Sequence, residues 1–448
     1  MYRRFFLIWV FFLPRISVGD MRPTGSSTAG WARADCQTAT WLIGAEVYGD
    51  ALCGGIAGLG CTESPSRLSY LPHFRSTERW YTGIATLNPH SEVEAQVTFT
   101  GWMDDGTPLG KVHRTIQPGT TLCEVSESLL SAQGQGWIQV DSDEPVIVME
   151  IFGNKVDGGI AGVSACEPAT EFIVPHVVVG EGVGSGLALA NPGEETTWAK
   201  ATLYDRAGDV LGIWGGEIPS KARKVQTFKS LFPQAGVVNG WARVTTSRPV
   251  VSLATMSCLT TRLRGELAAI VPVQPRELSR LPVLVHDMSW STYLVLVNPT
   301  SAFATLGVDA YDEEGGRLGS RQLLLGPNEK YIGLAASLLD LPCPIRGWVE
   351  VRSDVPTAAI LFLRLQETSE GWGLAGIEPV NAGPVVYYPH VTSTPRWWTQ
   401  LWMGHPLQGS LARGELFYRD SDGIRLGYTH FNMSRRGGMV MDAGDLLP

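Results

Sequence analysis

Histidine follows proline at one recurring position of the chain, and histidine is a common general base and zinc ligand. A zinc or catalytic histidine needs a second histidine, a cysteine or a carboxylate at a fixed short spacing, and no such partner recurs beside these histidines. We therefore interpret them as structural parts of a repeated unit, and we predict no catalytic residue and no metal ligand. The copies are Pro72-His73, Pro175-His176 and Pro389-His390, with Pro282-Val283 in the corresponding place.

Aspartate-rich turns form a second group of interest, because carboxylate oxygens are calcium ligands. They lack the D-x-[DN]-x-[DN]-G spacing and the distal glutamate of a calcium loop, so we interpret them as hairpin turns. No cofactor is expected. The turns lie at Asp104-Asp105-Gly106, Asp205, Asp312 and Asp420.

Tryptophan also recurs at one position, as Trp80, Trp290 and Trp397, with Tyr81 and Trp398 beside two of them. Aromatic rings at one junction of loop and strand could form a stacking platform for sugar rings, or they could cover the end of a β-sandwich core. We favour the core interpretation. A carbohydrate-binding site at these five residues is the alternative.

No known catalytic motif is present in the sequence. It contains no G-x-S-x-G elbow, no H-E-x-x-H, and no phosphate-binding or dinucleotide-binding glycine loop. Paired carboxylates of a glycosidase would come from distant strands and leave no such motif. We predict a non-enzymatic protein, and an enzyme whose site carries no recognised motif is a further alternative.

These residues belong to a sequence repeat of about 105 residues, which is the strongest pattern in the chain. The prolines of the Pro-His position are 103, 107 and 107 residues apart, and the prolines of an Asn-Pro position keep the same intervals. An acidic hairpin ending in Leu-Gly and a Gly-Trp pair complete the unit. The Gly-Trp pair opens a strand, which we expect to be followed by a Ser-x-Pro-like turn and a second apolar strand, such as PVIVMEIF from Pro145. We expect the tryptophans of these pairs to lie in the core. The Gly-Trp pairs are Gly30-Trp31, Gly136-Trp137, Gly240-Trp241 and Gly347-Trp348.

The positions of these landmarks predict the domain boundaries. The chain begins with the back half of a unit and ends with a front half. The predicted segments are a back half at 30–67, complete repeats at 68–168, 169–276 and 277–382, and a front half at 383–448.

Short alternating apolar segments bounded by Gly, Pro, Asn and Asp predict seven or eight strands per unit and one short helical turn. The expected fold is all-β, with tandem β-sandwich modules, and the alternative is a β-propeller-like closed ring. The two half units could pair within one chain, pair between chains and so cause self-association, or mark a fragment of a longer array.

The first 19 residues have the pattern of a signal peptide, with Arg3 and Arg4 before a nine-residue apolar segment and Ser17-Val18-Gly19 before Asp20. No later apolar segment is long enough to span a membrane. The net charge of −9 without a basic cluster argues against nucleic acid as a partner. We expect a secreted or cell-surface protein, with the periplasm as the other compartment.

The order of Pro-His, W-x-T, Asn-Pro, a Tyr-Asp-x-x-Gly hairpin and GW-x-x-V-x-S-D-x-P-V resembles a poorly characterised module of secreted bacterial proteins. The resemblance covers Gly30 to Pro448. The second copy lacks the W-x-T, and the fourth departs at His405-Pro406. The resemblance implies a β-sandwich repeat and carries no established activity. We expect a structural or interaction protein of adhesion or scaffold type, with a protein or polysaccharide of the cell surface as partner.

Overall fold

The computed structural model describes residues 28–38, 41–61, 64–258, 266–366, 372–409 and 411–446. The predicted signal peptide at 1–19 lies outside the described residues. Strands make up most of the described chain and helices are few and short, which confirms the all-β prediction. None of the helices in the described ranges has the length and apolar character that crossing a membrane requires.

The secondary structure repeats in chain order. The amino-terminal segment contributes β1 (Thr28–Cys36), β2 (Ile43–Asp50) and β3 (Ile56–Gly60). The first module contains β4 (Ser66–Ser76), β5 (Trp80–Leu87), β6 (Ala95–Met103), β7 (Pro108–Ile116), β8 (Thr121–Val125), α1 (Ser126–Leu130), β9 (Gly134–Asn154) and β10 (Ile160–Ser164). The second contains β11 (Ala169–Gly180), β12 (Val183–Ala190), β13 (Thr197–Tyr204), β14 (Val210–Ile218), β15 (Arg223–Thr227), α2 (Phe228–Leu231), β16 (Val238–Cys258) and β17 (Leu267–Ile270). The third contains β18 (Arg276–His286), β19 (Trp290–Val297), β20 (Ala304–Tyr311), β21 (Arg317–Leu325), β22 (Lys330–Leu334), α3 (Ala335–Leu339), β23 (Ile345–Gln366) and β24 (Trp372–Ile377). The carboxy-terminal segment contributes β25 (Val385–Ser393), β26 (Trp397–Gly404), β27 (Ala412–Asp420), β28 (Arg425–Met433), β29 (Gly438–Asp442) and a 3₁₀ helix (Ala443–Leu446).

Each complete module is a sandwich whose two sheets share one long strand. In the first module, the first part of β9 pairs with β4 and β6, and β7 extends that sheet. The second part of β9 pairs with β5 and β10, and β8 extends the other sheet. All these pairs are antiparallel, and apolar side chains from both sheets fill the space between them.

The middle of β9 differs from the sequence-based expectation. The Asp-Glu-Pro segment after Gly-Trp was expected to form a turn between two strands, but β9 is continuous through Pro145. Its pairing with β6 runs up to Ser142, its pairing with β4 reaches Val146 after an irregularity in register, and its pairing with β5 begins at Ile147. Pro145, which has no N–H to donate, therefore lies where the strand passes from one sheet to the other.

The two half units complete each other within one chain. β1 lies between β25 and β27, and β2 lies between β3 and β26. We call the resulting sandwich the fourth module. Of the outcomes that the sequence left open, the described residues show pairing within one chain, and self-association through the half repeats would require these pairs to separate.

The four modules contact one another through equivalent short strands. β3 contacts β10, β10 contacts β17, β17 contacts β24, and β24 contacts β3. The first module therefore adjoins both the second and the fourth. The propeller-like ring that was the alternative is not shown, because the repeated unit is a sandwich of two sheets and not a pair of four-stranded blades.

Candidate functional site

The Gly-Trp tryptophans lie in the core, as the sequence predicts, and they also join neighbouring modules. The Trp137 indole N–H donates to the carbonyl of Lys221, 2.8 Å away in the next module. The acceptor residues have positive φ, so a tight turn presents each carbonyl to the indole. The other three bonds, of 2.8 to 2.9 Å, are Trp241 to Asn328, Trp348 to Arg436 and Trp31 to Gly119.

The glycine of the acidic hairpin also contacts the next module. Gly208 has φ +96°, and a Cβ atom there would lie 2.5 Å from the carbonyl oxygen of Pro327. A side chain is therefore excluded by both conformation and space. The Asp205 carboxylate accepts backbone N–H bonds within the same turn, as expected for a hairpin. Gly106, Gly315 and Gly423 have φ between +81° and +87° and make the same approach.

Two of the repeated histidines, His73 and His176, accept hydrogen bonds from buried basic side chains of the next module. The His73 Nδ1 lies 3.0 Å from Nη1 of Arg223, whose Nε donates to the Asp104 carboxylate at 2.8 Å. The His176 Nδ1 lies 2.6 Å from Nζ of Lys330. Burial and the adjacent cation lower the pKa of both imidazoles well below the ordinary value, so both are neutral acceptors at pH 7.

A cavity of about 320 Å³ lies between the first and second modules. His73 and Trp80 of the first module form part of its wall, with Phe152 nearby, and the His73 and Phe152 rings are 4.7 Å apart. Val225 and Leu253 of the second module form the facing wall.

An equivalent cavity of about 250 Å³ lies between the fourth and first modules. His390, Trp397 and Tyr48 of the fourth module line it, facing Cys123 and Met149 of the first. Most of its wall is apolar. It brings a cysteine thiol within 3.4 Å of an imidazole nitrogen inside a cavity, which makes it the candidate functional site.

The Cys123 Sγ lies 3.4 Å from the Nδ1 of His390. Burial raises the pKa of the Cys123 thiol to about 11, against a smaller opposing effect of Thr121. Burial also lowers the pKa of His390 to about 4. At pH 7 the pair is therefore a neutral thiol beside a neutral imidazole, and not the thiolate and imidazolium of an activated cysteine nucleophile.

The structure separates the five aromatic residues singled out from the sequence. Tyr81 and Trp397 line the cavity between the fourth and first modules, and Trp80 lines the other cavity. Trp290 is 8% exposed and packs edge to face against Trp398, with ring centroids 6.2 Å apart. The five residues therefore do not form one platform.

No disulfide joins any of the seven cysteines, all of which lie within the described residues. Across the same described ranges, no cluster of three or more His, Cys, Asp or Glu side chains is arranged to hold a metal ion. The Cys123–His390 pair was missed by sequence reasoning because its members are 267 residues apart. The only sequence signal was that Cys123 occurs in one copy of the repeat.

No known protein family matches the chain, and no curated protein is significantly similar to it. Among solved structures, the crystal structure of Thermotoga maritima 1070 is 11% identical, with a TM-score of 0.22, over 24% of this chain and 96% of its own. The Anabaena sensory rhodopsin transducer is 14% identical, with a TM-score of 0.18, over 19% of this chain and 94% of its own. The VP2 subviral particle of infectious bursal disease virus is 9% identical, with a TM-score of 0.13, over 76% and 80%. Scores this low carry no argument about fold or function.

Proposed function

We propose that the chain is a non-enzymatic structural or interaction protein of scaffold or adhesion type, exported to the cell surface or beyond. Its partner is a protein or polysaccharide of that surface. The proposal includes membership of the secreted bacterial module group that the sequence resembles. The observation that carries it is the indole bond repeated at all four module junctions, from Trp31, Trp137, Trp241 and Trp348.

Such junctions support a scaffold because each one fixes the orientation of a module relative to the next. Four similar sandwiches held in this way present similar surfaces at fixed separations. A partner with several epitopes then gains avidity without any new contact per module. A flexible string of modules would lose part of this gain to the entropy of ordering the chain.

The protonation of the candidate site also supports a non-enzymatic role. Catalysis by cysteine needs a thiolate, and the pKa of Cys123 at about 11 leaves almost none at pH 7. The pKa of His390 at about 4 makes its imidazole a weak base toward the thiol.

Carbohydrate binding is the second candidate, and one observation favours it. Tyr81 and Trp397 line the same cavity, with the Arg396 guanidinium over one face of the Trp397 ring, 4.9 Å from its centre. The remaining aromatic surface is of the kind on which a flat apolar ring face can stack. Trp290, which is packed against Trp398, does not offer such a face.

Co-sedimentation of the purified full chain tests the proposal. The probes are insoluble peptidoglycan, chitin and cellulose, together with bacterial envelopes before and after proteinase treatment. We expect retention on envelopes. Loss of retention after proteinase treatment identifies a protein partner, and retention on neither envelopes nor polysaccharides contradicts the proposal.

Variants distinguish the two candidates. Retention on a pure polysaccharide that Trp397→Ala loses and Trp198→Ala keeps favours carbohydrate binding, since Trp198 is 52% exposed and lines neither of these two cavities. Release of reducing sugar from any probe contradicts a non-enzymatic function. Light scattering over a concentration range should give a constant monomer mass, because the half repeats already pair within one chain.

A further inference from the structure

We propose that the cavity between the fourth and first modules binds a soft monovalent metal ion, Cu(I), through Cys123, His390 and Met149. A thiol, an imidazole and a thioether converge on this one cavity. Together they form a ligand set that prefers soft ions, because sulfur and imidazole bind Cu(I) far better than oxygen-preferring ions such as Mg²⁺ or Ca²⁺.

The strand pairing places the two sulfur ligands on one face of a sheet. Cys123 pairs with Ala85, and Ala85 pairs with Met149 on its other side. Directly paired residues point to the same face, so both side chains project from either side of the small Ala85 toward the fourth module. His390 enters from that module.

Tyr48 contacts both of the other proposed ligands, Met149 and His390. Its hydroxyl lies 3.7 Å from the Sδ of Met149, and its ring stacks on His390 with centroids 5.9 Å apart. Tyr48 also donates a hydrogen bond to the carbonyl of His390. The Met149 thioether therefore lies at the Tyr48 hydroxyl, and the His390 imidazole lies against the Tyr48 ring.

The distance between the first two ligands suits a shared ion. With bonds of about 2.3 Å to sulfur and about 2.0 Å to nitrogen, as in zinc sites, two ligands of one tetrahedral ion lie about 3.5 Å apart. The observed separation of Cys123 Sγ and His390 Nδ1 is 3.4 Å. A shift of a few tenths of an ångström would allow both atoms to bind one ion.

The charge of the cavity favours a monovalent ion over a divalent one. Binding replaces the thiol proton of Cys123, which is released to water, and leaves one thiolate. A thiolate with Cu(I) is neutral overall, whereas a thiolate with Zn²⁺ would leave a net positive charge in an apolar cavity, which is costly. The carboxylate of Glu124, at the cavity wall, is already paired with Arg114.

The neighbouring cavity shows that packing does not require sulfur at these positions. There, Val225 and Leu253 flank Ala188 in the same pairing that Cys123 and Met149 make with Ala85. A histidine, His73, also faces that pair. The fold therefore accepts apolar side chains at both positions, and packing alone does not explain the two sulfur-containing side chains of the first module.

The experiment is an anaerobic titration of the full chain with Cu(I) in competition with a colorimetric Cu(I) chelator. The background chain carries Cys36→Ser, Cys53→Ser and Cys343→Ser, which removes the solvent-accessible thiols outside the cavity. We expect one equivalent to bind. Cys123→Val should abolish this binding, and Met149→Leu should weaken it about tenfold or more.

His390→Val provides the second ligand test, since Val283 occupies the equivalent position of the third module. It should also weaken binding about tenfold or more. Ag(I) titration should give the same order of variants, and X-ray absorption of the Cu(I) form should show one nitrogen and two sulfur ligands. Unchanged circular dichroism and monomer mass check the fold of each variant.

Two results overturn the proposal. Binding that survives Cys123→Val places the metal elsewhere. Binding that is lost in Cys123→Val but unchanged in both His390→Val and Met149→Leu means that a lone thiol captures the ion.

Discussion

The carboxyl group of Glu378 should make the free energy of unfolding depend on pH. Glu378 follows β24 and lines a cavity of about 740 Å³ where the four modules meet, with Val271 opposite. The backbone N–H of Val271 donates to its Oε1 at 2.5 Å. Burial raises the pKa of Glu378 from 4.5 to about 7, and this hydrogen bond opposes only part of the effect.

The direction in which stability changes with pH follows from proton linkage. A folded-state pKa above the unfolded value means that the folded protein holds the proton more tightly. The resulting stability is fully present below pH 4.5 and is lost as the pH rises through 7. One pKa unit corresponds to about 1.4 kcal/mol, so the loss between pH 5 and pH 8 is about 2.5 kcal/mol.

Glu378→Gln keeps an acceptor for the Val271 N–H and removes the titrating group. We expect the free energy of unfolding of this variant, relative to the original chain, to rise by about 2.5 kcal/mol from pH 5 to pH 8. Urea unfolding followed by tryptophan fluorescence at both pH values measures it. Glu92→Gln, at an exposed carboxyl, is the control and should show little change. If Glu378→Gln and the original chain respond to pH in parallel, the carboxyl ionises at its ordinary pKa and the reasoning is wrong.

Three further predictions concern the junctions. Trp241→Phe removes the indole bond to the Asn328 carbonyl and should cost about 1–3 kcal/mol in urea unfolding, whereas an unchanged midpoint would show that the bond adds nothing. Arg223→Ala leaves the Asp104 carboxylate and the His73 imidazole without their donor and should lower the free energy of unfolding by about 3–5 kcal/mol. An unchanged free energy of unfolding would show that the junction tolerates both unpaired groups. Gly208→Ala places a Cβ atom 2.5 Å from the Pro327 carbonyl oxygen and should lower the melting temperature, and an unchanged value would mean that the hairpin moves freely.

Much of the fold was predictable because the strand signals are local. Alternating apolar residues and turn residues lie within a few positions of each other, and the repeat displays them several times. The core position of Trp137 and the hairpin at Asp205 followed from this pattern. The expected turn at Pro145 was wrong because a proline can also mark the point where one strand leaves a sheet and joins another.

The role of the same landmarks at the junctions was not predictable. Trp241 and Asn328 are 87 residues apart, and nothing in the local pattern tells a core tryptophan from one that also donates to the next module. The candidate site was even less predictable, because its two sulfur-containing residues do not recur in the repeat. Cys123 and Met149 are departures from the repeat, at positions where the second module has Val225 and Leu253.

The departures at the histidine junctions suggest what fixes the order of the modules. The backbone contacts are alike at every junction, but the buried partners differ. Arg223 faces His73 and Lys330 faces His176, whereas the third module has Val283 at this position. A buried guanidinium or amine that loses its hydrogen-bond acceptor is costly, so a junction that placed Arg223 or Lys330 against Val283 would be disfavoured. In a chain of four similar sandwiches this penalty disfavours docking between mismatched modules, and His73 and His176 then help to determine which module faces which.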